Sequence, residues 1–268
     1  MDTLFGLEGK RIMVLGGGQG MGEATVKLLA RLGAELAVVD LQAERAERVA
    51  AEVGGKARPY AVDVTDDEAL VATIAQVGRE FGPLDGMSTV IGMAGWAPLV
   101  DLTLETWDAD HRRNLRYFFL AAREVAKSLL ARGAPGSIVC TASVDGIVSA
   151  PNHAAYGAAK AGLVNLVKTM AVEWSPHGIR VNCVAPGGIV TPRLPFGGEK
   201  EVAGMAMLPM RRRGSVDDVA KATAFFLSDL SPYVTGQTLA VDGGYTGTGV
   251  FSPKMNAAPN QVAGAERL

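Results

Sequence analysis

The sequence has few cysteines, no excess of either charge and no long apolar run, and each scarcity excludes a class of protein. Two cysteines, Cys140 and Cys183, cannot form a disulfide framework, and both lie in apolar runs that predict buried strands. Lys and Arg total 26 against 28 Asp and Glu, which leaves no basic excess for binding nucleic acid. The N-terminus lacks the apolar run of a signal peptide, and the Gly- and Pro-interrupted stretch 86–100 is too short to span a bilayer. We therefore expect a cytoplasmic protein that binds neither nucleic acid nor membrane.

Apolar runs alternate with amphipathic helical patterns from residue 10 to about residue 241. This alternation predicts an α/β fold, in which helices cover both faces of a doubly wound parallel sheet of about seven strands. We expect one domain over residues 1–245 and a tail or arm over 246–268. Helices are predicted near 22–32, 42–53, 66–80, 103–132, 151–174 and 215–228. Strands are predicted over Arg11–Leu15, Glu35–Val39, Ala57–Val62, Gly86–Met93, Gly136–Thr141, Arg180–Val184 and Thr238–Val241.

The first predicted strand runs into the glycine-rich segment 16–22, GGGQGMG, and a predicted helix follows. A turn without side chains allows backbone amides to approach a pyrophosphate, and the helix N-terminus favours the anion. The spacing G-x-x-x-G-x-G differs from G-x-G-x-x-G because position 23 is Glu23, and no Lys-Ser/Thr pair follows as in a P-loop. We interpret the segment as a phosphate-binding turn. A flexible loop is the alternative.

Asp40 ends the second predicted strand, where a carboxylate can accept hydrogen bonds from adenosine ribose hydroxyls and repel a 2′-phosphate. Leu41 follows in place of a basic residue. This pattern favours NAD over NADP as the cofactor. The alternative is an ordinary exposed aspartate at a strand end.

Tyr156 and Lys160 are spaced i, i+4 in a predicted helix and therefore share one face. A nearby ammonium group favours the phenolate and lowers the pKa of tyrosine, so the pair is a candidate general acid/base. Ser143 follows the predicted strand Gly136–Thr141, at the sheet edge where ligands bind in open α/β folds. Its hydroxyl is a candidate to hold a substrate oxygen beside Tyr156.

Taken together, these motifs make the sequence similar to the short-chain dehydrogenase/reductase family over residues of about 7–245. The resemblance implies a Rossmann-like sheet of seven parallel strands and assembly as a homotetramer or homodimer. Further matching elements are Asp63-Val64, Asn114, Ile179–Thr191, Thr235-Gly-Gln and Asp242-Gly-Gly.

The resemblance also implies a role for each site residue. Tyr156 would be the proton donor or acceptor, and Lys160 would bind the nicotinamide ribose and lower the tyrosine pKa. Ser143 would orient the substrate oxygen, and Asn114 would support a water that links Lys160 to solvent. The implied cofactor contacts are Gly16, Gln19, Gly20, Met21, Gly22, Asp40, Asp63, Val64, Gly92, Ala94, Gly95, Tyr156, Lys160, Pro186, Gly187, Ile189 and Thr191.

Two positions depart from the family pattern. Gly92-Met93-Ala94-Gly95 stands where the family usually has Asn-Asn-Ala-Gly, and Leu15 replaces a Thr before the first glycine. The asparagine normally braces the central strands, so we expect local compensation or a looser site without loss of cofactor binding.

The candidate substrate contacts are Trp96, Ser143, Asp145, His153, Tyr156 and Phe196. For Asp145 and His153, a solvated loop residue is the default interpretation, and Arg211-Arg212-Arg213 is interpreted as a solvated turn. The segment 192–209 corresponds to the family's substrate lid, and its apolar residues favour a bulky, hydrophobic substrate. No two histidines have the spacing of metal ligands, so no catalytic metal is expected.

We therefore predict an NAD(H)-dependent oxidoreductase that interconverts a secondary alcohol and a ketone. A cofactor-binding sensor or scaffold without catalysis is the alternative, although it would not need Ser143, Tyr156 and Lys160 together. An epimerase is disfavoured because only about 24 residues follow Asp242-Gly-Gly, too few for a larger substrate domain.

Overall fold

Seven parallel strands form one sheet in the computed structural model, which describes residues 4–195, 197 and 208–247. The strand order is β3-β2-β1-β4-β5-β6-β7, and the predicted α/β architecture, a Rossmann-like parallel sheet in a single domain, is confirmed. The strands are β1 (Arg11–Leu15), β2 (Glu35–Asp40), β3 (Ala57–Ala61), β4 (Gly86–Thr89), β5 (Gly136–Thr141), β6 (Ile179–Pro186) and β7 (Thr238–Val241). Phe196, most of the predicted lid and the tail from residue 248 onwards lie outside the described residues.

Helices cover both faces of the sheet. They are α1 (Gly20–Arg31), α2 (Ala43–Val53), α3 (Asp67–Glu80), α4 (Leu104–His111), α5 (Tyr117–Ala131), α6 (Ala154–Trp174) and α7 (Val216–Leu227). Buried residues of α1, α2 and α7 form one core with β1 and β2, and those of α3, α5 and α6 form a second core on the opposite face. Central strands buried on both faces explain the continuous apolar runs of the sequence. Among the described residues, no helix has both the length and the apolar character needed to cross a membrane.

The predicted helix 103–132 is one rod with an irregular centre. Between α4 and α5 the chain forms a π-helical turn over Arg112–Arg116, a geometry that inserts an extra residue into the helix. The turn contains the fully buried Asn114, one of the predicted catalytic residues.

Strand β4 is shorter than predicted, because it ends at Thr89 and not at Met93. The carbonyl oxygen of Ile91 accepts hydrogen bonds from Lys160 Nζ at 3.2 Å and from the hydroxyl of Tyr117 at 3.3 Å. Side chains from the helices on one face therefore satisfy the backbone here, in place of a neighbouring strand.

The edge strand β7 is attached to the sheet partly through a buried amide side chain. Asn182 of β6 donates a hydrogen bond from Nδ2 to the carbonyl of Val234 at 2.8 Å, and its Oδ1 accepts one from the backbone N–H of Gln237 at 3.0 Å. Asn182 is fully buried. It therefore fixes the chain that leads into β7 and, beyond it, the turn at Asp242.

We expect Asn182→Leu to lower the free energy of unfolding by about 1–3 kcal/mol, because it removes a fully buried side chain that bonds both the carbonyl of Val234 and the N–H of Gln237. The measurement is urea denaturation at fixed protein concentration. The matched control is Thr223→Val, at an equally buried position whose hydroxyl only adds a bond to the carbonyl of Val219 within α7. Its cost should stay below about 1 kcal/mol. Equal losses in the two variants would contradict this account of Asn182.

Candidate active site

The glycine turn joins β1 to α1 and is anchored to β2. The backbone N–H groups of Gly16 and Gly17 donate to the carbonyl of Val39 at 2.8 and 3.0 Å. Gly16 has φ +83°, and a Cβ atom on Gly22 would lie 1.9 Å from the carbonyl oxygen of Gly16. Helix α1 begins after Gln19 without a capping side chain, so its first N–H groups are open to an anion.

Asp40 is bound to this turn and is not an exposed strand-end residue, since only 8% of its surface is accessible. Its carboxylate accepts hydrogen bonds from the backbone N–H groups of Gly18 at 2.9 Å and Gln42 at 3.2 Å. A Cβ atom on Gly18 would lie 2.7 Å from Asp40 Oδ2 and 2.7 Å from the Cβ of Arg45. Gly18 is therefore required for the contact, although the sequence analysis did not include it among the cofactor residues. The unbroken run of glycines at 16–18 was the available signal.

A cluster of charges on α1 and α2 braces the same turn. Arg48 donates to the carbonyl of Gly18 at 2.9 Å and forms ion pairs with Glu23 at 2.8 Å and Glu52 at 2.7 Å. Hydrogen bonding from Arg48, supported by Lys27, lowers the pKa of Glu23 to about 2. Lys27 pairs with the same two carboxylates at 2.6 Å, so Arg48 belongs to a cluster of two cations and two anions that neutralises its charge.

Asp63 and Val64 lie immediately beyond β3, near the same edge. Asp63 is exposed, and its carboxylate accepts hydrogen bonds from the backbone N–H and the hydroxyl of Thr65 at 2.8 and 2.7 Å. Val64 is buried. The pair therefore offers one fixed carboxylate and one apolar contact, in the places where the resemblance implies the adenine.

The segment that departs from the family pattern is held by Asn114 of the π-helical turn. Asn114 Nδ2 donates to the carbonyl of Met93 at 2.9 Å, and Asn114 Oδ1 accepts from the Met93 N–H at 3.3 Å. A Cβ atom on Gly92 would lie 3.1 Å from Lys160 Nζ and 3.2 Å from Asn114 Oδ1. A side chain at position 92 would therefore crowd both polar groups, and glycine leaves that space open.

Asp110 provides the second support for this segment, and the sequence analysis missed it. Its fully buried carboxylate accepts a hydrogen bond from the N–H of Gly95 at 3.0 Å. A Cβ atom on Gly95 would lie 2.4 Å from Thr106 Cγ2, so only glycine fits against α4. Asn114 and Asp110 thus both hold the segment 92–95, and whether they compensate for the missing asparagine or the site is looser stays a prediction.

Lys160 is fully buried and reaches the ends of two strands. Its Nζ donates to the carbonyl of Thr141 at 2.9 Å and to that of Ile91 at 3.2 Å. Burial lowers the pKa of Lys160 to about 8, because desolvation disfavours the charged form. An ammonium group has three N–H donors, so one remains for a ligand beyond these two carbonyls.

Tyr156 lies beside Lys160, with Lys160 Nζ 5.5 Å from the centre of its ring. Burial raises the pKa of Tyr156 to about 12, while a hydrogen bond with the Ser143 hydroxyl acts in the opposite direction. Lys160 is not among the groups that shift the pKa of Tyr156, so the lowering of this pKa by Lys160 stays a prediction.

Two glycines bring Ser143 to Tyr156. Ser143 precedes a short 3₁₀ helix, Val144–Gly146, and its Oγ accepts a hydrogen bond from the N–H of Asp145 at 3.1 Å. A Cβ atom on Gly146 would lie 2.8 Å from the carbonyl oxygen of Lys160, and one on Gly157 would lie 3.1 Å from that of Asp145. This turn packs closely on α6 because Gly146 and Gly157 have no side chains. These two glycines were the signal in the sequence, and they were not among the predicted site residues.

Asp145 and His153 form a pair, which overturns the default interpretation of two solvated loop residues. His153 Nδ1 lies 2.6 Å from Asp145 Oδ2, and the two side chains are only 14% and 15% exposed. The ring of Trp96 packs edge-on against His153 with 3.7 Å between ring centres, and Trp96 itself is 71% exposed. Three of the predicted substrate contacts are therefore adjacent, in the loops next to Tyr156.

The turn after β6 faces the glycine turn. Gly187 packs against Asp242, since a Cβ atom on it would lie 2.9 Å from Asp242 Cβ. Thr191 lies near Gly20, with its Cβ 3.9 Å from the Cβ position of that glycine. Of the predicted contacts Pro186, Gly187, Ile189 and Thr191, Thr191 is thus the one that lies beside the start of α1.

Arg213 holds the beginning of the predicted lid, and its interpretation as part of a solvated turn is wrong. Its guanidinium donates to the carbonyls of Ile189 and Leu194. Ile189 in turn forms a β-bridge with Gly214. In the described part of the chain, no three His, Cys, Asp or Glu side chains form a group that could hold a metal ion.

The chain belongs to the short-chain dehydrogenase/reductase family. A family model described as enoyl-(acyl carrier protein) reductase matches residues 16–246. The 2,5-dichloro-2,5-cyclohexadiene-1,4-diol dehydrogenase of Sphingobium indicum is 39% identical over 247 residues, which cover 90% of this chain and 98% of the relative. The D-threitol dehydrogenase of Mycolicibacterium smegmatis is 37% identical over 251 residues, which cover 92% and 96%.

A solved structure agrees with the family assignment. The crystal structure of a short-chain type dehydrogenase/reductase from Mycobacterium marinum superposes with a TM-score of 0.85 at 32% identity and covers 91% of this chain and 98% of that one. These similarities support an oxidoreductase that acts on CH–OH groups with a nicotinamide cofactor.

We expect Gly18→Ala to weaken the binding of a nicotinamide dinucleotide at least about 10-fold, because the new methyl group displaces the carboxylate of Asp40. Titration of intrinsic fluorescence with NADH and NADPH measures the dissociation constants. Gly55→Ala is the matched control, since a Cβ atom there would have no neighbour within 4 Å. Unchanged affinity in Gly18→Ala would show that the turn tolerates a side chain.

Proposed function

We propose that the protein is an NAD(H)-dependent oxidoreductase that interconverts a secondary alcohol and a ketone, with Tyr156 as the general acid/base. The observation that carries the proposal is the convergence of three side chains from two separate segments. Lys160 Nζ lies 5.5 Å from the centre of the Tyr156 ring, and the Ser143 hydroxyl is near enough to the tyrosine to act on its pKa, against the effect of burial. A sensor or scaffold would not require this arrangement.

Glycines line the cleft at positions where a Cβ atom would collide with the protein or fill space that a ligand needs. This lining fits a nicotinamide dinucleotide. The glycine turn would hold the pyrophosphate and Asp40 the adenosine ribose. Asp63 and Val64 would flank the adenine. The nicotinamide end would be held by Gly92, Ala94 and Gly95 on one side and by the turn from Pro186 to Thr191 on the other. When bound, the cofactor supplies the acceptor or donor of hydride.

The protein's own side chains would handle the proton. In oxidation, the phenolate of Tyr156 would take the hydroxyl proton of the substrate, while Ser143 would hold the same oxygen. Lys160 would contribute its remaining N–H to the nicotinamide ribose. Asn114 lies beside the open space at Gly92, which supports its role in connecting Lys160 to solvent through a water.

The preference for NAD over NADP rests on Asp40. Its carboxylate is held against the turn by two backbone N–H groups, so it stays where a 2′-phosphate would have to lie. The nearby Arg48 is paired with Glu23 and Glu52 and therefore does not offset this negative charge.

Apolar side chains at the edge of the cleft support a bulky, hydrophobic substrate. Trp96, Met93, Ile147 and Leu194 are all exposed. Two of the similar enzymes are named for a chlorinated cyclic diol and for threitol, both alcohols with more than one hydroxyl group.

We also propose a cytoplasmic homotetramer or homodimer, built from one domain over residues 1–245 and a tail over 246–268. The exposed apolar residues Phe119 of α5 and Val172 of α6 support association through these helices.

The acid/base role predicts a distinctive pH dependence. Because the pKa of Tyr156 is raised to about 12, the phenolate is the minor form at neutral pH. The kcat/KM for alcohol oxidation should therefore rise with pH, by up to about 10-fold per unit, while ketone reduction should not rise. Nicotinamide absorbance during turnover of a panel of secondary alcohols and ketones measures both directions.

Tyr156→Phe should abolish turnover in both directions, by at least about 100-fold, and leave NADH binding intact. Tyr233→Phe is the matched control because Tyr233 is fully exposed. Turnover that survives in Tyr156→Phe would contradict the proposed role. Tight NADH binding by the wild type without turnover of any alcohol or ketone would favour the sensor.

Asp40→Ser should raise the ratio of kcat/KM with NADP to that with NAD by about 100-fold, since it removes both the ribose acceptor and the charge that repels a phosphate. Glu44→Ser is the control for general charge effects, because Glu44 is exposed on α2 and lies outside the proposed contacts. A wild-type enzyme that already prefers NADP would overturn the argument from Asp40.

A further inference from the structure

One ring nitrogen of His153 is a buried polar atom without a partner. Nδ1 is bonded to Asp145, but Nε2 is buried and has no hydrogen-bond partner among the described residues. Leaving such a group unsatisfied costs about 1–3 kcal/mol. Because Nε2 adjoins the catalytic side chains, its missing partner points to a ligand.

The position of His153 relative to the reacting groups is fixed from two sides. Its ring centre lies 5.6 Å from that of Tyr156, and its partner Asp145 donates a backbone hydrogen bond to Ser143. Trp96 packs edge-on against the imidazole and is itself largely exposed. A substrate whose reacting oxygen is held by Ser143 and Tyr156 would therefore have its carbon skeleton near His153.

The pairing of His153 with Asp145 determines which kind of substrate group can form a hydrogen bond with His153 Nε2. An ionised Asp145 only accepts hydrogen bonds, so the proton of a neutral His153 lies on Nδ1 and Nε2 is an acceptor. If the imidazole becomes protonated, Nε2 becomes a donor. A hydroxyl group both donates and accepts, and it therefore matches either state. A carbonyl or ether oxygen matches only the protonated one.

We infer that His153, oriented by Asp145, binds a second hydroxyl group of the substrate and makes the enzyme selective for diols over simple alcohols. The inference rests on the proposed alcohol dehydrogenase function and adds the substrate class. The apolar edge formed by Trp96 fits a ring or carbon chain between the two hydroxyl groups.

A purely structural role for the pair is the competing explanation. On that explanation the bond between Asp145 and His153 serves only to close the loop that joins the 3₁₀ helix to α6, and its loss would disturb the neighbouring Ser143 for every substrate. The two explanations differ in their effect on alcohols that have one hydroxyl group. The structural role affects them equally, whereas a second-hydroxyl contact does not involve them.

The test compares kcat/KM for cyclohexanol with that for cis- and trans-cyclohexane-1,2-diol and cyclohexane-1,4-diol. The wild type should prefer at least one diol by 10-fold or more. His153→Phe keeps a ring against Trp96 and should lower kcat/KM for that diol by about 10–100-fold, with cyclohexanol within about 3-fold of the wild type. His153→Gln, which restores a polar group, should recover part of the diol activity, and it serves in place of the Phe variant if that variant does not fold.

His111→Phe is the matched control, because His111 also packs on a tryptophan, Trp107, but lies outside the pair. It should leave the diol preference unchanged. Equal losses for diol and cyclohexanol in His153→Phe would overturn the inference in favour of the structural role. Oxidation of cyclohexanol by the wild type without any preference for a diol would overturn it and leave the proposed function standing. Failure of the wild type to oxidise any of these alcohols, with NADH binding intact, would count against both.

Discussion

The buried ammonium group of Lys160 sets the arrangement of the site. In the described part of the chain it forms no ion pair, so backbone carbonyls have to provide its hydrogen bonds. The two acceptors, Ile91 and Thr141, lie beyond the end of β4 and at the end of β5. A single side chain from α6 therefore fixes the positions of two strand ends, and the cofactor cleft and the Ser143 turn begin directly after them.

Burial has opposite effects on the pKa values of the two neighbouring groups, and both effects favour the neutral form. It lowers the pKa of Lys160 to about 8 and raises that of Tyr156 to about 12. The ammonium group of Lys160 lies 5.5 Å from the centre of the phenol ring and donates to two carbonyls, and the desolvation of Tyr156 is the largest cause of its raised pKa. A positive charge bound against the tyrosine would lower its pKa.

Much of this fold follows from local patterns, whereas the missed features depend on contacts between distant segments. The predicted bounds of β1, β5 and β7 match the structure, and for β1 and β5 the reason is that a buried parallel strand is a largely continuous apolar run. The end of β4 was wrong since the carbonyl of Ile91 is taken by Lys160, 69 residues away. Gly18 and Asp110 were missed for the same reason. Each is needed only because another segment, that of Asp40 or of Gly95, comes within contact distance.

The π-helical turn shows how a local irregularity serves the site. An extra residue in a helix shifts the backbone hydrogen bonds and leaves a carbonyl without its usual donor. Here the side chain of Asn114 donates to the carbonyl of Asp110 at 2.9 Å, four residues earlier. The same amide group also donates to Met93, so one side chain repairs the helix and holds the cofactor segment. Because Asp110 in turn accepts from Gly95, the irregular turn and the glycine-containing segment stabilise each other. The segment that carries the departure from the family's Asn-Asn pattern is thus held by α4 and the π-helical turn.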